Sequence, residues 1–223
     1  MLWSEFREVD LDDQVVGCAA SHQLLLAAID DMTQEQCREP SLLADWTRGH
    51  VLSHLARNAM SHVHLFECAS RGEVGEQYPG GYQARIAGID SHAGDSKKDL
   101  VQAVRQSVYA LEGAWARASA QTWAGSGKQA TGALIPMHDI VFLRWREVVI
   151  HLTDLGIGYG FSTWPELYVR MELGRQVQMW ASRKPMGLTI LPQEALALAP
   201  AERLAWLVGR AQPEGLPQSV GLQ

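Results

Sequence analysis

The chain has 223 residues, 47% hydrophobic and 20% charged, enough for one large domain, or a domain with an appendage, whose core needs no disulfides. A formal net charge of −6 with no basic stripe argues against a nucleic-acid partner. Three cysteines (Cys18, Cys37 and Cys68) in no CxxC spacing, an opening MLWSEFREVDLDD unlike a signal peptide, and no apolar run near the ~20 residues of a membrane span give the expectation of a soluble, cytoplasmic protein.

In chain order, the first helical pattern runs from about Leu11 to Met32, with Val15, Val16, Ala19, Leu24, Leu25 and Ile29 as its apolar stripe. The second begins after Asp45-Trp46-Thr47 and carries Val51, Leu52, Leu55, Ala59, Val63 and Leu65 towards Gly72. Thr47 suits an N-cap, although the fourth residue of that box is His50 rather than Glu or Gln. A polar, Gly-rich stretch from Gly72 to Asp95 reads as a crossover loop, of the kind that often borders a site. The third helix covers about Lys98 to Ser119, and the fourth runs from near Pro136 to its stop at Gly156. A further helix is expected over Trp164–Ser182, a strand over Leu188–Leu191 and a short helix over Ala201–Arg210, before a Pro- and Gly-rich tail. The expected division is a helical bundle over residues 1–185 and a short extension over 186–223.

Glu147 and His151 are four apart on the fourth helix, so they share one face. Their neighbours Val148, Val149, Ile150 and Leu152 are apolar, and a buried carboxylate and imidazole need a partner. A metal is one such partner; a surface pair or a satisfied buried hydrogen bond is the other reading. On the second helix, His54 interrupts the apolar run of Val51, Leu52 and Leu55 and is expected to point inward, whereas His50 lies a turn nearer the helix start. If the two helices are neighbours, His54, Glu147 and His151 meet, a donor set that suits zinc with one position open, as at catalytic sites. Asp154 is placed to hold the His151 ring from behind, or is a helix-end carboxylate. His22, His62, His64, His92 and His138 read as surface or packing residues, and Trp46, Trp115, Trp145 and Trp180 as core.

The segments SLLADWTRGHVLSHLARNA (residues 41–59) and RWREVVIHLTDLG (residues 144–156) resemble the metal-binding helices of the mycothiol-dependent maleylpyruvate isomerases. The resemblance covers about Leu11 to Arg210. It implies a mainly α fold, a DinB-like four-helix bundle with a small, abbreviated C-terminal α/β extension. It places the zinc ligands on His54, Glu147 and His151, and an arginine that matters for activity on Arg210 within Val208-Gly209-Arg210. The implied reaction is the cis-to-trans isomerisation of maleylpyruvate to fumarylpyruvate in gentisate breakdown. A zinc-activated thiol adds reversibly to the alkene, whose double bond becomes single and rotates, and Arg210 pairs with a substrate carboxylate. The thiol comes from outside: mycothiol by resemblance, with ergothioneine, glutathione and cysteine as alternatives. A monomer or homodimer is expected. Two rival readings are a zinc-dependent thiol transferase of the same fold acting on another electrophile, and a non-catalytic DinB-like metal-binding protein.

Overall fold

A computed structural model describes residues 10–182 and 189–219. By contacts the chain divides into Met1–Ile157 and Gly158–Gln223. Four long helices make the first unit: α1 (Leu11–Asp30), α3 (Arg48–Ser70), α5 (Lys97–Arg117) and α7 (Asp139–Asp154). Between them lie the short helices α2 (Gln34–Arg38), α4 (Gly81–His92) and α6 (Ala120–Trp123). Strands β1 (Ser126–Lys128) and β2 (Leu134–Pro136) pair antiparallel, with Gly127 opposite Ile135. No described helix is long and apolar enough to cross a membrane.

The long helices form because apolar residues recur on one face and polar side chains close the ends. Thr47 caps α3 by accepting from the His50 backbone, and the His50 ring accepts in return from the Thr47 N–H at 3.2 Å. His50 thus takes the part that Glu or Gln plays in the usual capping box. Ser96 caps α5 in the same way through the Asp99 N–H at 3.2 Å. The core seals around Leu25, Ile29, Leu52, Leu55, Val104, Leu111, Ile140 and Val148, all with no measurable exposure. Each such side chain contributes about 1.5–3 kcal/mol relative to an exposed one.

Around the bundle, α3 packs on α5 and α7, and α1 packs on the same two helices. Consecutive long helices α1 and α3 therefore lie across the core from one another, and so do α5 and α7. That arrangement makes neighbours of α3 and α7, the two helices that carry the candidate ligands.

Three differences from the sequence expectation stand out. The crossover segment 72–95 contains α4, whose start uses two successive left-handed glycines, Gly80 (φ 89°) and Gly81 (φ 73°). Only Ile89 of α4 is buried, so its sequence carries almost no periodic signal. The fourth helix starts at Asp139, because Pro136 pairs in β2. In the second unit, Thr189, Ile190 and Leu191 form no strand, and Leu188 lies outside the described residues. The expected α/β character there is not seen among the described residues, which are helical: a 3-10 turn (Phe161–Thr163), α8 (Glu166–Ala181), α9 (Gln193–Ala197) and α10 (Pro200–Leu207). Trp180, Leu191, Ala195, Trp206, Leu207 and Leu216 form their core, with the Trp180 and Trp206 rings 4.9 Å apart. Because α8 packs on α10, it groups with the C-terminal unit, which by contacts begins at Gly158.

Candidate metal centre

The register of α3 against α7 is fixed at the helix ends next to the site. Arg48, in the first turn of α3, donates from Nε to the Leu155 carbonyl at 2.6 Å, where α7 presents its unpaired C-terminal carbonyls. The Leu42 N–H donates to the Asp154 carbonyl at 2.8 Å. Deeper in, Arg144 of α7 donates to the Leu55 carbonyl and to Asn58 Oδ1 of α3, both at 2.9 Å.

With the helices so aligned, His54, Glu147 and His151 each offer a ligand atom, and these atoms lie within 4.8 Å of one another. The two imidazole rings meet edge to face with centroids 4.7 Å apart. His54 Nε2 lies 2.7 Å and His151 Nε2 3.5 Å from the same Glu147 oxygen, Oε2. His54 is 3% exposed in its side chain and Glu147 28%, so the cluster is closed on the α3 side and reachable from solvent beside the carboxylate. Behind His151, the ring Nδ1 donates to Asp154 Oδ2 at 2.8 Å, with Asp154 itself buried. That bond aims Nε2 into the cluster.

The protonation pattern follows from burial and partners. Burial lowers the His54 pKa to about 4 against the pull of Glu147, leaving a neutral imidazole. For His151, burial acts in the same direction, but the hydrogen bonds to Asp154 and Glu147 outweigh it and hold the pKa at about 9. Burial would raise the Glu147 carboxyl; the bonds from His151 and His54 instead keep it well below the usual carboxylate range. At neutral pH an imidazolium therefore sits between two carboxylates, with a neutral imidazole opposite. A dication fits this set: two imidazoles and one carboxylate are zinc donors, and the ion would replace the charge of the displaced His151 proton.

Two neighbours are not apparent from sequence. Arg85, on α4, donates from Nη2 to His54 Nδ1 at 3.3 Å, and its guanidinium lies 5.9 Å from the Tyr78 and Tyr82 ring centres. Since a guanidinium can only donate, His54 holds its proton on Nε2 and gives it to Glu147. Trp46, expected in the core, is half-buried with its ring 5.6 Å from His54, so it borders the site. Trp115, Trp145 and Trp180 are core residues. Among the other histidines, His22 and His62 are buried, His138 is exposed, and none joins the cluster. Arg210 belongs to the second unit. It follows the left-handed Gly209 (φ 74°) at the end of α10, and its Nη1 donates to the Val208 carbonyl at 2.9 Å.

The model of the mycothiol maleylpyruvate isomerase N-terminal domain family matches residues 18–156, more than half of the chain. The chain belongs to this family. Among solved structures, the fold is similar to that of a mycothiol-dependent maleylpyruvate isomerase, with TM-score 0.85 at 23% identity over 96% of this chain and 98% of that one. A histidine-to-alanine variant described by the same enzyme name gives TM-score 0.86 with the same identity and coverage. YfiT from Bacillus subtilis, described as a probable metal-dependent hydrolase with an unusual four-helix bundle topology, gives TM-score 0.54 at 16% identity over 67% of this chain and 87% of that one. No curated protein matches by sequence. Both segments that carry the candidate ligands of this family member, 41–59 and 144–156, fall inside the matched span.

Proposed function

We propose that this chain is a thiol-dependent isomerase that converts maleylpyruvate to fumarylpyruvate in gentisate breakdown, with zinc held by His54, Glu147 and His151. The observation that carries this reading is the convergence of those three side chains from α3 and α7, within the span that matches the family. When bound, zinc would lower the pKa of a coordinated thiol enough to keep it as thiolate at neutral pH. Glu147 offsets one of the ion's two charges, and Asp154 fixes which nitrogen of His151 faces the cluster. The three cysteines are all buried and none is among the clustered residues, which is consistent with a thiol supplied from outside. Mycothiol is the first choice for that thiol. Arg210 takes a substrate carboxylate through its planar fork of donors.

Metal analysis of the purified chain, combined with isomerase assays using mycothiol, ergothioneine, glutathione and cysteine, tests the reading. The expected result is about one zinc per chain and loss of the cis-enone absorbance with mycothiol. Alanine at His54, Glu147 or His151 removes both ion and turnover, whereas Arg210→Met lowers turnover and leaves the ion in place. Activity with none of the four thiols sinks the isomerase, and undiminished zinc in all three alanine variants sinks the ligand set.

A further inference from the structure

On α3, a turn beyond His54, Arg57 lines an open cavity of about 460 Å³ bordered by α3, the 77–79 segment, α4 and α5. None of His54, Glu147 and His151 lines it. Its volume is in the range of small-ligand sites. The Arg57 Nε is buried without a hydrogen-bond partner, and no carboxylate among the described residues pairs with the guanidinium. A partly buried cation left this way costs free energy unless something else satisfies it.

The fold makes specific room for that cation. Gly88, inside α4, has no Cβ, and one built there would stand 2.1 Å from Arg57 Nη2, 2.3 Å from Cζ and 2.4 Å from Nε. The guanidinium therefore lies directly against the α4 backbone, where any other residue would displace it. The Nε is shielded there, so the terminal nitrogens of Arg57, which are not among the buried unpartnered atoms, are the donors a carboxylate in the cavity would meet.

The rest of the lining narrows the ligand. Ala56, Met60, Leu100 and Ala103 give an apolar wall for an organic body. Asp95 and Asp99 also line the cavity, the first paired with His92 at 2.8 Å and the second bonded by the Ser96 hydroxyl at 2.7 Å. Two carboxylates near a single arginine disfavour a dianion such as phosphate and tolerate a monoanion.

We propose that this cavity is a second ligand site, selective for a small organic monocarboxylate that docks its carboxylate on Arg57 and its apolar part on α3 and α5. The inference goes beyond the isomerase reading and is independent of it. Tyr78 connects the two places, since it lines the cavity and lies beneath Arg85, which contacts His54.

The test is calorimetric titration of the full chain, after chelation and again with zinc, using hexanoate and benzoate as probes and inorganic phosphate and hexanol as comparators. Saturable binding of at least one carboxylate is expected in both metal states, weakened roughly tenfold or more by Arg57→Gln and lost in Ala103→Trp, which fills the cavity from an exposed position on α5. Asp99→Asn should tighten it. Equal affinity in Arg57→Gln, tighter binding of phosphate than of hexanoate, binding that disappears with the metal, or no saturation by either carboxylate would each overturn the proposal. Should Arg57→Gln fail to fold, unchanged binding in Ala103→Trp overturns it alone.

Discussion

His54 stands between a donor and an acceptor. Arg85 donates to its Nδ1, and its Nε2 donates to Glu147 at 2.7 Å. An ion bound at Nε2 needs the lone pair there, which moves the ring proton to Nδ1, where Arg85 offers another donor. The guanidinium also adds a like charge beside a cation site. Replacing Arg85 by Met is therefore expected to tighten zinc binding several-fold, measured by competition with a chromophoric chelator; weaker binding would mean that Arg85 supports the centre. The convergence of His54, Glu147 and His151 was legible in the sequence because a spacing of four on an apolar face is unusual for Glu and His, and because His54 interrupts a hydrophobic run. Arg85 was not, since it lies in a segment whose helix buries only Ile89. Trp46 was misplaced because an aromatic residue next to a helix start reads the same whether it seals a core or walls a site.

At the scale of elements, the pairing of α3 with α7 decides whether the trio can meet. Their apolar periodicity and the stop at Gly156 were readable in advance, but the arrangement of the four helices was not, because periodicity says which face is buried and nothing of the neighbour it meets. Short elements without a stripe of their own (α2, α4, α6 and the β1–β2 hairpin) were missed for the same reason. Gly49 shows how closely these pieces fit. A Cβ there would stand 2.1 Å from the Ala93 carbonyl oxygen, a backbone atom that cannot swing aside. Gly49→Ala should push the end of α4 away from the start of α3 and cost about 1–3 kcal/mol, or more if the backbone cannot shift. Chemical denaturation reports the loss, and an unchanged midpoint would show that the contact yields freely.

Over the whole molecule, buried histidines govern the response to pH. Burial lowers the pKa of His22 to about 4, of His54 to about 4 and of His62 to about 3. The unfolded chain takes up these protons near 6.5, so in acid it binds more than the folded chain, and stability falls as pH drops below 6.5. Each histidine contributes up to ~1.4 kcal/mol per pH unit to that fall. His151 acts in the opposite sense: its raised pKa gives stability that is fully present below 6.5 and lost as pH rises through about 9. Thermal melting of the chelated chain is expected to peak near pH 6.5 and fall on both sides; a melting temperature constant from 6.5 down to 4.5 would contradict it. His22 also accepts from Arg144 at 3.1 Å and bonds Glu112 at 2.8 Å, a buried network that the sequence did not disclose because its members come from α1, α5 and α7.

The contact between His54 and Glu147 spans 93 positions of chain. An ion shared by them would work as a removable tether between two rods that otherwise hold together only by side-chain packing and a few polar bonds. At a free ion concentration 100 times the dissociation constant such a tether is worth about 2.7 kcal/mol. Local parting of α7 from α3 and escape of the ion would then be one event, so the lifetime of the bound metal and the rate of amide exchange along α7 should rise and fall together.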